Sequence, residues 1–519
     1  MYKTMPTITQ QNLIKVLNPA TGEKIFEINS SNDLEIKNTV QKAKDSFLLW
    51  RSLPVDKRIE YLKKIYEIII ADRDKIANTI TKNTGKPLAE SYLTEIAATL
   101  QVIQCFIKSG EELLKKKDIA LGPLYPTKKS FLTYEPHGIV AIIEPWNYPF
   151  YLPLSTITKA LIAGNVVILK SSSTVSLIGK LIEEILLKAN LPDGVANVIY
   201  GNGEVAEKLI ENNIDMVVFT GSVEVGKKIA SLCTKKLLPM SLELGGKDPA
   251  IVFKNCNIDF ATSGILWGAL SNCGQACASI ERVYVQSEIY SEFTDKICTL
   301  AKNLKIGDGF NDETDIGPVI NEEQLKKIEE HVSDALDKGA KLHTGGKRMQ
   351  GNGFFFEPTV LSNVTHEMKT MTEETFGPVI PIMKFETTEE AVWLANDTRY
   401  GLAASIWTGE TEGARTIVES LNCGTVWVND SLFLQAHPAC PWQGYKDSGF
   451  GSSSIYSFVK TKHISIDQGY IPKIRPKNFW WYPYKGKSRS YSDLIGLIYK
   501  FGFKEKVKAA FQTLIDFLK

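Results

Sequence analysis

Cys277 closes the stretch Ser271-Asn272-Cys273-Gly274-Gln275-Ala276-Cys277, which is small, polar and glycine-containing. An apolar segment (residues 265–270) precedes it and a strand-like one (282–286) follows. A thiol held on such a turn, with backbone amides nearby, is where a thiolate can serve as a nucleophile, because amide donors and helix N-termini favour the charged form. The same stretch also suits an inert core thiol, since Cys is among the most buried residue types. Cys273 either shares a helical face with Cys277 or is inert, and no catalytic role is assigned to it. Upstream, Glu243-Leu244-Gly245-Gly246-Lys247 sets a carboxylate beside a glycine pair. Downstream comes a second carboxylate motif, Glu373-Glu374-Thr375-Phe376-Gly377-Pro378, and before all of these lies Pro145-Trp146-Asn147-Tyr148-Pro149. Phe219-Thr220-Gly221-Ser222-Val223-Glu224-Val225-Gly226 ends a strand and opens a helix. Its glycines and free amides suit a phosphate, although the pattern is not GxGxxG and a plain tight turn reads the same way.

These four stretches around Asn147, Glu243, Cys277 and Glu374, in this order and at these spacings, resemble the aldehyde dehydrogenase superfamily, and the resemblance spans about residues 18–468. It implies an NAD(P)-dependent, non-phosphorylating enzyme that turns an aldehyde into the carboxylic acid. Such chemistry needs a nucleophile to make the carbonyl tetrahedral, donors for the oxyanion, and a base. The resemblance gives these roles to Cys277, to Asn147 with the Cys277 backbone N–H, and to Glu243. It implies cofactor contacts at Lys170 and Glu374 (ribose), at Gly221, Ser222 and Gly226 (pyrophosphate turn), at Gly245 and Ser173, and at Trp146 and Phe376 as walls near the adenine-side and nicotinamide-side portions. Read alone, Asn147 is equally a turn residue, Glu243 a strand-end carboxylate, Lys170 a surface lysine and Phe376 a core aromatic. The sequence departs from the family at Ser171-Ser172-Ser173, where many members have an acidic third residue. It departs again at Leu270-Ser271, where many have aromatics, at Gln443 in place of a glycine, and at His437-Pro438-Ala439-Cys440 before Trp442. These departures bear on the substrate and on NAD versus NADP. Two rivals stand beside this reading: a CoA-acylating relative, against which Glu243 argues, and a non-catalytic nucleotide-binding scaffold.

Strand and helix must alternate to position these groups. Asn18-Pro19-Ala20-Thr21-Gly22-Glu23 is a turn between short apolar segments. Helical periodicity covers 33–50, 54–83 and 88–114, with Gly85 and Pro87 stopping the second run. Buried strands are expected at 138–143, 164–169, 195–200 and 216–219, with helices between them, which makes a doubly wound parallel sheet that binds ligands beyond its strand C-termini. A second α/β half follows, with strands at 250–253, 283–286, 403–407 and 425–429. The expected architecture is two Rossmann-like α/β domains plus a β arm. The dinucleotide domain covers 1–117 and 138–245, the catalytic domain 246–452, and the arm 118–137 and 453–470. The resemblance implies that this arm mediates oligomer contacts, in a dimer or tetramer.

The chain has 519 residues, too many for one ordinary domain. A net charge of +1 gives no global field for nucleic acid. Eight cysteines without CxxC pairs or His-Cys clusters argue against a metal site and for a reducing, cytoplasmic compartment. Residues 1–11 show no apolar core of the kind a secretory signal needs. Residues 471–519 hold eleven Lys/Arg against three Asp/Glu, a net of +8, which leaves −7 on the rest. In this tail Lys473, Arg475, Lys477, Lys485, Lys487 and Arg489 surround Phe479-Trp480-Trp481-Tyr482-Pro483-Tyr484. Apolar residues then recur at helical spacing: Leu494, Leu497, Ile498 and Phe501, followed by Val507, Ala510, Phe511, Leu514, Ile515 and Leu518. Such a basic amphipathic tail either docks on the enzyme or a second subunit, or lies peripherally on an anionic membrane.

Overall fold

The computed structural model describes residues 13–122, 125, 127–432, 440, 442–468 and 481–499. They fall into two compact units: one made of residues up to Leu113 together with Pro136–Lys460, the other of Leu114–Glu135 and Thr461–Lys519.

The first unit opens with a hairpin, Leu13–Leu17 against Lys24–Asn29, around the turn read from the sequence. It holds two large sheets. The first runs in the order Gly449–Phe450, Met240–Glu243, Met216–Thr220, Ile139–Ile143, Val166–Ser171, Ala196–Tyr200. All its pairs are parallel except that of Gly449–Phe450 with Met240–Glu243, where Gly449 sits opposite Glu243. Ile139–Ile143 is buried throughout, as expected of a parallel strand covered on both faces. The second sheet runs Lys341–Thr344, Thr359–Ser362, Val379–Phe385, Ile280–Gln286, Asp248–Val252, Ala403–Trp407, Thr425–Val428, and only its first pair is antiparallel. The α/β class and its parallel sheets are as anticipated.

Several elements differ from the sequence reading. Lys341–Thr344, Thr359–Ser362 and Val379–Phe385 are strands that periodicity does not announce. Two have four residues each, and the third carries Pro381, a residue that demotes a strand in any pattern reading. The helical run 54–83 divides into Val55–Ala71 and Arg73–Thr84 at Asp72. The run 88–114 contains a π-helical turn at Ser91–Ala97, a device that is common near functional sites.

In the second unit Lys117–Ile119 pairs antiparallel with the strand Lys128–Pro136, and Val459–Asp467 joins the same three-stranded sheet. Lys128 pairs with Asp467 at 3.0 Å. The helix that Leu494, Leu497 and Ile498 predict is present as Ser488–Tyr499. Trp481, Tyr482 and Tyr484 are exposed by 54%, 75% and 51%. Lys473, Arg475, Lys477, Phe479, Trp480 and the repeat from Phe501 to Leu518 lie outside the described residues, as do His437, Pro438 and Ala439. Among the described residues no helix is long and apolar enough to cross a membrane, and no cluster of His, Cys, Asp and Glu could hold a metal ion.

Candidate active site

The helix Ile258–Leu270 starts on an Asn257 cap, whose side chain accepts the Phe260 N–H at 3.1 Å, and delivers the chain to Ser271. The turn that follows is strained: Asn272 and Cys273 both take positive φ, 53° and 57°, where side chains with a Cβ are disfavoured. Buried hydrogen bonds hold it there. The Glu90 carboxylate accepts the Asn272 N–H at 2.9 Å, and the Asn272 side-chain amide donates to the carbonyls of Asn147 and Gln275 at 3.0 and 3.1 Å. Gln275 accepts the Ile320 N–H at 2.9 Å. Cys273 ends up buried in the core, while Cys277, in the turn just before strand Ile280–Gln286, is only half-buried.

Cys277 borders two cavities. One is lined by Tyr148, Tyr151, Leu152, Trp442 and Phe458 together with Thr156, Lys159 and Glu243. The other is lined by Trp146, Asn147, Gly221, Ser222, Gly245, Glu374 and Phe376. Burial pushes the Cys277 thiol well up, with the charges of Asp248, Glu374 and Glu243 adding to it and the Ala278 amide opposing. Glu243 ends strand Met240–Glu243 with 8% exposure. Neither of its carboxylate oxygens has a hydrogen-bond partner, and burial holds its carboxyl well above the ordinary range. Asn147 donates from Nδ2 to the Gln275 carbonyl at 3.2 Å, and its Oδ1 has no partner. Cys277 therefore shares one cavity with Glu243 and the other with Asn147.

Two buried ion pairs, neither singled out by the motifs, clamp the loops of this site. Lys86 and Glu95, both fully buried, meet at 2.7 Å. Lys86 also donates to the Asn147 carbonyl at 2.9 Å and lies over the Tyr148 ring. Glu95 accepts the N–H groups of Phe150 and Tyr151 at 3.1 and 2.8 Å. The second pair is Lys247–Glu281, also at 2.7 Å. Glu281 accepts the N–H groups of Thr375 and Phe376 at 2.7 and 2.8 Å and so fixes Phe376 at its φ of 57°.

The cofactor-side residues are placed as follows. Ser222 caps helix Val223–Lys236, accepting the Val225 N–H, and lines the second cavity beside Gly221. Gly221 N–H donates to the Glu243 carbonyl at 3.0 Å. A Cβ at Gly226 would meet Leu244 at 2.5 Å, and one at Gly245 would meet the Glu374 carboxylate at 2.6 Å. Both glycines are close-packing positions: the first seats the helix on its sheet, the second admits Glu374. The Gly246 N–H donates to Glu374 at 3.0 Å, while burial, then the Glu281 charge, raises the Glu374 carboxyl to about 7. Trp146 and Phe376 stand edge to face with centroids 5.5 Å apart, forming one continuous wall. Lys170 lies inside strand Val166–Ser171, 7% exposed, brought down to about 8 by burial and without a hydrogen-bond partner among the described residues. Ser173 begins a short 3-10 turn and lines a different cavity with Asn202 and Asn321. The helix N-terminus at Ser222, the Gly221 turn and Glu374 line one cavity together and fit a dinucleotide.

A profile of the Aldehyde dehydrogenase family matches residues 7–464. The 4,4'-diapolycopene aldehyde oxidase of Methylomonas sp is 33% identical over 492 residues, covering 94% of this chain and 91% of its own. A probable NADP+ succinate-semialdehyde dehydrogenase of Sinorhizobium fredii is 34% identical, covering 88% of this chain and 93% of its own. A solved betaine aldehyde dehydrogenase of Staphylococcus aureus, in complex with NAD+, superposes with a TM-score of 0.84 at 31% identity, covering 91% of this chain and 95% of that one. The chain belongs to the aldehyde dehydrogenase family and is an oxidoreductase.

Proposed function

We propose that this protein oxidises a medium- or long-chain apolar aldehyde to its carboxylic acid, with NAD or NADP as cofactor, and that Cys277, Asn147 and Glu243 carry the reaction. The carrying observation is the position of Cys277 at the junction of two cavities, with Glu243 in one and Asn147 in the other. The Cys277 thiol gives up its proton to solvent water, the sulfur adds to the carbonyl carbon, and the oxygen that becomes negative is held by the Asn147 amide and the Cys277 N–H. Loss of hydride from that carbon leaves a thioester on Cys277. Glu243 takes a proton from water, the hydroxyl adds to the acyl carbon, and the Cys277 sulfur leaves with the acid released. A nicotinamide dinucleotide bound at Lys170, Ser173, Gly221, Ser222, Gly226, Gly245, Glu374, Trp146 and Phe376 would supply the hydride acceptor. Glu243 in the cavity wall favours water over CoA as the acyl acceptor.

Tyr148, Tyr151, Leu152, Trp442 and Phe458 support an apolar substrate, as does the likeness to a relative named for a diapolycopene aldehyde. A panel of aldehydes of rising chain length, assayed with NAD and with NADP by absorbance of the reduced cofactor, tests this reading. A kcat/KM that rises with chain length is expected; a preference for short, charged semialdehydes would overturn the substrate class. We also propose that the three-stranded sheet mediates a homodimer or tetramer. The exposed Trp481, Tyr482 and Tyr484 beside Lys485, Lys487 and Arg489 support the tail as a peripheral contact with anionic lipid. Salt-sensitive co-sedimentation with anionic vesicles, lost on truncation after Tyr470, is the expected result. Full-length protein left in the supernatant would end the lipid reading.

A further inference from the structure

Two ionisable side chains have no part in the chemistry above: Lys159 in the wall of the cavity, and Glu144 bonded to the wall residue Thr156. Lys159, on helix Tyr151–Ile162, lines the wall with Cys277 and Glu243. Its ammonium donates to the Ser453 carbonyl at 3.0 Å and makes no ion pair with a carboxylate among the described residues. Glu144 follows strand Ile139–Ile143, is 3% exposed and accepts the Thr156 hydroxyl at 3.0 Å, while its second oxygen has no partner. Burial lowers Lys159 to about 8 and raises Glu144 to about 7.

The groups that face Glu243 can be named. Lys159 favours its charged form and Glu144 opposes it. Cys277 feels the Glu243 charge. Tyr148 and Tyr151 also line the cavity, with hydroxyls that burial holds above their ordinary range. Glu243 accepts no hydrogen bond that would stabilise a carboxylate. A buried carboxylate in that state ionises only against a nearby positive charge, and here that charge is Lys159.

We propose that Lys159 is the positioning residue for the general base: its ammonium, moored on the Ser453 carbonyl, is the charge against which Glu243 ionises, and it thereby sets the rate at which the acyl-enzyme is cleared. It exchanges no atom with substrate and acts through Glu243. The proposal rests on the reading of Glu243 as base.

The test is the pH profile of kcat with the full-length enzyme, alongside the pre-steady-state burst of reduced cofactor. Lys159→Met should move the acidic limb of kcat to higher pH by about 1 unit or more, keep the burst, and recover turnover in alkali. Lys159→Gln, which can still donate to Ser453 but has lost the charge, should shift the limb equally, and Lys159→Arg should leave it near the parent position. A uniform loss at every pH with the limb unmoved would mean a structural role and overturns the proposal, as would no change in the neutral variants. Glu243→Gln separates the two readings: if it keeps the parent profile, the base assignment fails irrespective of Lys159.

Discussion

The side-chain amide of Asn147 donates to the main-chain carbonyl of Gln275 at 3.2 Å, so the group read as the oxyanion donor is tied to the turn that presents the nucleophile. The tie is reinforced in the other direction by Asn272, which donates to the Asn147 carbonyl at 3.0 Å. Donor and nucleophile therefore move together, and preorganisation of this kind is what lets a hydrogen bond act on developing charge.

Asn147→Ala should lower kcat about 100- to 1000-fold, the usual effect of removing one such donor, with a much smaller change in the KM for cofactor. Steady-state kinetics on both substrates checks this. A loss confined to KM would reassign Asn147 to the structure of the turn.

The two cysteines of the turn should behave in opposite ways. Cys277→Ala should abolish oxidation and still bind dinucleotide, because most of the cofactor-side cleft is built by other residues. Cys273 is buried and faces the core of the second sheet. Cys273→Ala should retain a substantial fraction of turnover and lose stability of about 1 kcal/mol from a small cavity. Turnover and chemical denaturation together decide the assignment, and activity in Cys277→Ala would end it.

The three catalytic candidates were legible because each sits in a short motif whose order and spacing carry the information. The ion pairs that hold those motifs were not. Lys86 falls in Thr84-Gly85-Lys86-Pro87, where glycine and proline announce a helix stop and hide the lysine. Glu95 does carry a signal in the sequence: it stands at helical spacing from Thr99, Val102 and Phe106, all buried, so a carboxylate sits on a buried stripe. Lys247 and Glu281 lie 34 residues apart, and no periodicity connects them; only the parallel pairing of Asp248–Val252 with Ile280–Gln286 brings them together. The strands at 341–344 and 359–362 are too short for alternation to register.

A prediction on cofactor choice rests on Ser173 as a proposed ribose-side residue. An acidic side chain there would accept from ribose hydroxyls and repel a 2′-phosphate, and serine does neither strongly. NADP should be tolerated beside NAD, with a discrimination below about 1000-fold, roughly 4 kcal/mol. Ser173→Glu should shift kcat/KM towards NAD. Because Ser173 lines a cavity other than the one holding Glu374, an unchanged ratio in this variant would place the 2′-position elsewhere.

The last prediction concerns Glu281, whose carboxylate accepts the N–H groups of Thr375 and Phe376 and pairs with Lys247. Glu281→Gln keeps the size of the side chain, removes its charge, and leaves Lys247 buried without a counter-ion. Breaking one partner of a buried pair costs about 3–5 kcal/mol, so the variant should unfold at markedly lower denaturant. In whatever fraction stays folded, Glu374 and Phe376 lose their fixed backbone. Hydrogen bonds to a charged acceptor are worth about 1.5–3 kcal/mol, so the KM for dinucleotide should rise about 10- to 100-fold while the aldehyde KM changes little. Removing both charges, in Glu281→Gln with Lys247→Met, should recover part of the stability and none of the cofactor affinity. Recovery of both would show that the unpaired Lys247 charge, and not the weakened backbone hydrogen bonds, disorders the Glu374 loop in the single variant.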